Sequence, residues 1–295
     1  MKTESPSWFR WLVADLGRYV LVPLLAALLP AGAAGRLLRR AACWRWMCPD
    51  RADVVSARRA AGLAPEEGAR PWQATMLYEA MSAWRLMLGR RPGLRMRGEW
   101  PQRPGFVAAG GHYGNGIIVL WCLREAGLGP RFQLRRPDRG WLRPRPVYYA
   151  WSRLRFALIR RLCPDGVITT GGARSQLERA FADGGSTPVV LFDTPAASGS
   201  WRMPVGEREL PLPTGARDLL RGADVRGVLF FPRICWDASP PVTELEVVPM
   251  GSGEEAAESF PQRFGEELAR HPGAWHFWPI IEPYLRRAGE PDEAR

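Results

Sequence analysis

From residue 106 onward the chain alternates short apolar runs with longer amphipathic segments, and this alternation limits its possible folds more than any other feature. The runs FVAAGG (106–111), TPVVLFD (187–193) and VRGVLFFPRICWD (225–237) are too short and too uniformly apolar for surface helices, and they predict buried strands. Between them lie segments such as 146–161, whose basic face and length predict helices. Strands that alternate with helices pair into a largely parallel central sheet flanked by helices, so we predict an α/β fold.

The part of the chain before residue 106 has a different pattern. Apolar residues at three- and four-residue intervals predict a helix over 71–91, and two further helices are expected within 41–64, separated at Pro49. The charged, Pro- and Gly-rich stretch 91–105 is expected to connect the two halves, with room for a short edge strand.

Two closing helices are predicted, over 254–270 and 274–287, followed by a polar tail. We therefore divide the chain into a membrane-associating hydrophobic helix (1–40), an α/β domain (41–288) and the tail (289–295).

The N-terminal apolar segment YVLVPLLAALLPAGAAG (19–35) is the candidate for membrane contact. It is short for a spanning helix, which needs roughly 20 residues, and Pro23 and Pro30 interrupt it. A cleaved signal peptide fits poorly because Asp15 and Arg18 stand where its apolar part would begin. We predict an amphipathic or shallowly inserted helix, and the alternative is a buried helix of the globular core.

Charge also favours a membrane surface. The 295 residues include 41 Lys and Arg against 30 Asp and Glu, a net charge of +11, which favours anionic partners. No nucleic-acid motif is present and the 14 tryptophans are dispersed, so nucleic acid is not expected. The five scattered cysteines indicate no disulfide framework, and Cys43 and Cys48 lack a second pair at metal-ligand spacing. We expect a reducing compartment, no metal and no cofactor.

Two polar residues follow predicted strands directly. In parallel sheets ligands bind beyond the carboxyl ends of the strands, and His112 and Asp193 both lie there, so we expect them on the same rim. A neutral imidazole beside a Gly-rich turn can act as a general base, and the N–H groups of the next helix can stabilise an oxyanion. Asn115 could cap that helix or join the site. The alternatives are a turn histidine and an Asp-Thr-Pro turn.

The remaining histidines and two of the cysteines carry weaker signals. His271 and His276 lie in or near an aromatic-rich segment, where packing or capping is the expected role. Cys122 and Cys163 have no adjacent base and are expected to be structural. No GxSxG, P-loop or GxGxxG motif is present.

The order of four blocks resembles that of the late acyltransferases of lipid A biosynthesis in Gram-negative bacteria, within the lysophospholipid and glycerol-3-phosphate acyltransferase-like group. The resemblance runs from the N-terminal hydrophobic helix to about Arg287. The blocks are AGGHYGN, GVITTGGARSQLERAFADGGSTPVVLFDTP, MPVGERELPLPTGARDLL and HPGAWHFW.

The resemblance implies an activity and a location. It implies transfer of an acyl chain from acyl carrier protein or coenzyme A to a hydroxyl or amine of a lipid-like acceptor, without metal, at the cytoplasmic face of the inner membrane. It makes His112 the base, assigns substrate binding to Gly114, Asn115 and Arg174, and implies a glycerol-3-phosphate acyltransferase-like fold.

One departure from the family pattern stands out. The acid that orients the family's histidine should occupy position 117, where this chain has Ile117. Asp193 and Glu125 are the candidate replacements, and Glu125 is the weaker because it lies two to three helical turns from the rim. Three hypotheses stay open: an active acyltransferase, an active relative with a different acceptor, and a catalytically impaired relative that binds acyl carrier protein or membrane as a partner in a lipid or polyketide-type biosynthetic complex.

Overall fold

The computed structural model describes residues 8–64, 68–135, 139–169, 173–222, 226–288 and 290. Its centre is a seven-stranded sheet. The strands are β1 (Leu94–Arg97), β2 (Phe106–Gly110), β3 (Pro130–Leu134), β4 (Ile168–Thr169), β5 (Thr187–Leu191), β8 (Arg226–Cys235) and β9 (Val242–Gly251). Their order across the sheet is β1-β9-β8-β2-β5-β3-β4. Every neighbouring pair is parallel except β8 and β9, which are antiparallel. The predicted α/β fold with a largely parallel sheet is confirmed.

Helices cover both faces of this sheet. They are α1 (Trp8–Asp15), α2 (Val22–Leu28), α3 (Ala31–Ala41), α4 (Arg51–Ala60), α5 (Ala69–Met87), α6 (Ile117–Glu125), α7 (Pro146–Leu162), α8 (Ala173–Asp183), α9 (Thr214–Gly222) and α10 (Gly253–Arg270). Central strand β2 shows the layering, since Val107 and Ala109 join a core containing α10, whereas Phe106 and Ala108 join one containing α6 and α7. A strand buried on both faces explains its uniformly apolar sequence.

A second, three-stranded sheet contains β6 (Arg202–Val205), β7 (Arg208–Pro211) and β10 (Arg286–Arg287). The β6–β7 hairpin was not predicted. It turns at Gly206, which has a positive φ of 61° and lies against the carbonyl oxygen of Ala61, so that a side chain there would collide.

The N-terminal helix is held to the body of the protein by buried charges. A π-helical turn (Leu16–Leu21) joins α1 to α2, and Arg18 within it pairs with Asp50 at 2.7 Å, while Asp15 pairs with Arg145 at 2.6 Å. Together these elements form one continuous helix, Trp8–Leu28, and among the described residues it is the one helix long and apolar enough to cross a membrane. Half of its most apolar 18-residue stretch is buried within the protein. Core helices and signal sequences share those properties, so the predicted membrane role stays a prediction.

The predicted closing helix over 274–287 is wrong. The segment instead forms two 3-10 turns, Pro272–Ala274 and Glu282–Tyr284, followed by β10. Pro279 and Pro283 cannot donate helical hydrogen bonds, and Trp275 and Trp278 are both fully buried. The predicted tail (289–295) lies outside the described residues, except for Glu290.

Candidate active site

The paired strands β2 and β5 bring His112 and Asp193 together. Gly110, the last residue of β2, is the register partner of Leu191, the last residue of β5. His112 follows Gly110 by two positions, and Asp193 follows Leu191 by two positions. Both residues therefore lie just past the same edge of the sheet, next to each other. The Nδ1 atom of His112 lies 2.9 Å from Oδ1 of Asp193. Gly111 permits this approach, because a Cβ there would lie 2.8 Å from the carboxyl carbon of Asp193.

Three hydrogen bonds fix the Asp193 carboxylate, whose side chain is fully buried. Oδ1 accepts one from the His112 ring, and Oδ2 accepts one from the backbone N–H of His112 (2.7 Å) and one from Nε1–H of Trp275 (2.8 Å). A carboxylate at Nδ1 favours the tautomer with the proton on that nitrogen, so Nε2 is left as an acceptor. The His112 side chain is 35% exposed, which leaves the ring accessible from the pocket.

The C-terminal segment holds the histidine loop in place from the other side. The backbone N–H of His276 donates to the carbonyl of His112 (2.8 Å), and that of Gly114 donates to the carbonyl of Ala274 (2.8 Å). The Phe277 ring lies 4.3 Å from the His112 ring. These contacts place the tryptophan-rich block inside the site, a position that its aromatic content alone does not indicate.

The pocket beside His112 has an apolar wall and a polar end. Ile117, Leu120, Phe132, Ile159 and Leu191 supply apolar side chains to it. The space that this wall encloses is only about 30 Å³. It offers apolar contact to the reacting end of a hydrocarbon chain and does not hold a whole chain.

The polar end of the pocket consists of Glu79, Arg155 and His276. Arg155 donates to Glu79 at 2.7 Å, and its Nε has no hydrogen-bond partner among the described residues. Burial lowers the pKa of His276, whose Nε2 lies 2.9 Å from the carbonyl oxygen of Gly114. A neutral His276 therefore donates from Nε2 to that carbonyl. The sequence predicted packing or capping for His276, and its ring does bond the backbone, but it also lines the pocket.

The start of α6 supplies backbone donors to the same pocket. Gly116 and Ile117 line it, and their N–H groups have no acceptor among the described residues. The first N–H groups of a helix lack intrahelical partners and carry partial positive charge. They suit an anion or an oxygen that becomes negative.

The other predicted residues differ in where they lie. Asn115 is fully buried and donates from Nδ2 to Ser82 (3.0 Å) and Thr243 (2.8 Å), so its side chain joins α5, α6 and β9 instead of facing the pocket. Gly114 has a φ of +57° and lies against the Pro232 carbonyl, so a side chain at this position would collide and glycine is required. This conformation is not helical, and α6 begins at Ile117.

The last two candidates are Glu125, which lies away from His112, and Arg174, whose side chain is not described. Glu125 ends α6 on the surface, roughly 12 Å along the axis from the start of that helix. Arg174 is in α8, but its side chain lies outside the described residues.

The buried thiols Cys122 and Cys163 are not activated as nucleophiles. Burial raises the pKa of the Cys122 thiol to about 12 and that of Cys163 to about 11, so both stay protonated at neutral pH. Within the described part of the chain, no group of three or more His, Cys, Asp or Glu side chains is arranged to hold a metal ion.

Comparison with known proteins does not assign the chain. No protein-family model matches it, and no curated protein matches it either. The functional conclusion therefore depends on the geometry of His112 and Asp193 and on the pocket beside them.

Proposed function

We propose that the protein is an acyltransferase that moves an acyl chain from a thioester, on acyl carrier protein or coenzyme A, to a hydroxyl or amine of a lipid-like acceptor. The observation that carries the proposal is the His112–Asp193 pair at the carboxyl edge of the sheet. Asp193 supplies the acid that position 117 lacks. The proposal includes membership of the late acyltransferase group and its glycerol-3-phosphate acyltransferase-like fold.

The geometry supports a general-base mechanism. The acceptor hydroxyl donates to Nε2 of His112 and attacks the thioester carbonyl, while its proton moves to Nε2. Asp193 stabilises the imidazolium that forms. We assign stabilisation of the tetrahedral oxyanion to the N–H groups of Gly116 and Ile117, since both residues line the pocket beside His112. The intermediate then collapses, the C–S bond breaks, and the departing thiolate takes the proton back from Nε2.

The shape and charge of the protein support the two substrates. The apolar wall between α6 and α7 suits the carbons next to the thioester, and the polar end at Glu79, Arg155 and His276 suits the functional groups of an acceptor. The net charge of +11 suits both an acidic carrier protein and an anionic membrane. We place the protein at the cytoplasmic face of the inner membrane.

The alternative, a catalytically impaired partner of a biosynthetic complex, was prompted by the missing acid at Ile117. Because a buried carboxylate already bonds Nδ1 of His112, that reason no longer holds. We therefore favour the active enzyme.

The test is a turnover assay with a labelled acyl group on acyl carrier protein, and in parallel on coenzyme A, in the presence of bacterial lipid extract. Wild-type protein is expected to transfer or slowly hydrolyse the acyl group. His112→Ala is expected to reduce the rate at least roughly a hundredfold. The matched control is His271→Ala, which removes an exposed imidazole outside the pocket beside His112 and should keep full activity. Equal turnover by wild type and His112→Ala would rule out the proposed chemistry.

A further inference from the structure

A second cleft, separate from the pocket at His112, is lined by four arginines. Arg10 of α1, Arg45 of the turn Arg45–Met47, Arg51 at the start of α4 and Arg70 at the start of α5 surround a volume of about 780 Å³. The rest of its described wall is formed by small and apolar residues, namely Ala42, Cys43, Cys48, Pro49, Ala52 and Val55. No carboxylate is among these described lining residues.

Among the described residues, no counter-charge is bonded to three of the four guanidinium groups. Arg45, Arg51 and Arg70 make no side-chain hydrogen bond or ion pair with any described residue. By contrast, the buried Arg18 nearby is paired with Asp50. Like charges collected around one concavity without counter-ions create a positive potential that attracts an anion.

The start of α4 offers a backbone donor to the cleft, although the carboxylates of Asp50 and Asp53 also lie in this first turn. Asp50, at the N-cap position, makes no capping hydrogen bond because its carboxylate accepts from Arg18 instead. The first-turn N–H of Ala52 therefore lies uncapped at the wall of the cleft. Uncapped helix N-termini favour phosphate and other oxyanions.

Exposed aromatic side chains are sequence neighbours of two of the cleft's arginines. Trp8 and Phe9 precede Arg10 and are about 60% exposed, and Trp44 and Trp46 flank Arg45, with their rings stacked 6.2 Å apart. Tryptophan at the surface of a protein next to arginine is typical of the membrane–water interface. An acidic protein partner would not require these rings.

An exposed apolar stripe continues from the same place along the N-terminal helix. Its members recur at intervals of four, three, five, four and three residues, and the interval of five falls on the π-helical turn. A π turn takes one more residue than an α turn, so the stripe stays on one face for the whole helix. The stripe consists of Phe9, Val13, Leu16, Leu21, Leu25 and Leu28, all exposed.

We propose that the four-arginine cleft binds the phosphate of an anionic glycerophospholipid headgroup while the apolar stripe rests in the adjoining acyl region. This inference rests on the membrane location proposed above, but it does not depend on the chemistry at His112. The cleft makes the protein select anionic from neutral membranes and orients it on them.

The test compares two double variants that remove the same charge. Arg45→Gln with Arg51→Gln alters the cleft, whereas Arg103→Gln with Arg226→Gln alters two exposed arginines of another pocket, at the amino ends of β2 and β8. Partition into phosphatidylcholine vesicles with and without phosphatidylglycerol is measured by sedimentation.

Wild type is expected to prefer vesicles with phosphatidylglycerol. The cleft variant should bind these about 20-fold more weakly, and the control variant should match wild type. Inorganic phosphate up to the vesicle phosphate concentration should not displace the protein. Displacement would show that the site takes the free ion and would overturn the lipid assignment.

Other outcomes overturn the proposal in distinguishable ways. Equal losses in both double variants would mean that only net charge matters. Unchanged vesicle binding by the cleft variant, with loss of affinity for acyl carrier protein, would assign the cleft to that protein. His112→Ala should bind vesicles as wild type does, so failed turnover with intact binding would count against the active site alone. Failure of wild type to bind any vesicle would refute the membrane location.

Discussion

Asp193→Asn tests the geometry at the site with the smallest possible change of shape. In the native protein three N–H donors converge on two carboxylate oxygens, at 2.7, 2.8 and 2.9 Å. Asparagine offers one acceptor oxygen and one NH₂ group. If its oxygen takes the Oδ2 position, which receives two of the donors, then its NH₂ faces Nδ1 of His112.

An NH₂ group opposite Nδ1 forces the other imidazole tautomer, with the proton on Nε2. That nitrogen then cannot accept the proton of the acceptor hydroxyl. In a serine-protease triad the corresponding change lowers kcat by about 10⁴-fold. Because a thioester is more reactive than an amide, we expect a smaller loss of about 10² to 10⁴-fold, or about 3–5 kcal/mol of transition-state stabilisation.

The assay is single-turnover release of a labelled acyl group, with circular dichroism to show that the variant is folded. Glu125→Gln is the matched control, since it neutralises the other candidate acid at the exposed end of α6, and it should retain the wild-type rate. A folded Asp193→Asn protein with wild-type turnover would refute the reasoning, and a loss confined to Glu125→Gln would assign the role of acid to that residue.

Three further predictions concern the surroundings of the pair. Ile117→Glu should give no rate gain and should lower the free energy of unfolding by about 3 kcal/mol, because it places a carboxyl group at a position only 2% exposed; faster turnover would mean that the acid is still missing. Trp275→Phe removes one hydrogen bond to Asp193 and should lower turnover roughly tenfold and stability by about 1.5–3 kcal/mol; unchanged kinetics would contradict its positioning role. Because burial lowers the pKa of His276, the unfolded chain binds a proton at higher pH than the native protein, so stability should fall as pH drops below about 6.5. Urea unfolding of wild type and His276→Asn across that range checks this, and an equal pH dependence in both would contradict it.

The sequence predicted the sheet and the shared rim of His112 and Asp193, because strand ends in a parallel sheet can be located from apolar runs. It named Asp193 and Glu125 as the candidate acids for His112, but it could not show that the Asp193 side chain bonds His112. That contact requires β2 and β5 to be neighbours in register, and strand order depends on the packing of the whole chain.

The role of the C-terminal tryptophan-rich block also could not be predicted from the sequence. Trp275 donates a hydrogen bond to Asp193, which lies 82 positions earlier in the chain. The predicted helix over 274–287 is absent because Pro279 and Pro283 interrupt the segment. Asn115 immediately precedes Gly116, which lines the pocket beside His112, yet its side-chain amide points into the core and donates to Ser82. No pattern in the neighbouring sequence indicates this orientation. The arginines of the second cleft come from four separate segments.

The central claim is that His112 and Asp193 act as one catalytic unit, and a double-mutant cycle measures this most directly. The rate of acyl release is compared among wild type, His112→Ala, Asp193→Asn and the double variant. Residues that act together give strongly non-additive effects. We predict that the double variant is no slower than His112→Ala alone. If the rate loss of the double variant equals the product of the two single-variant losses, the account is contradicted, because the two residues then contribute independently.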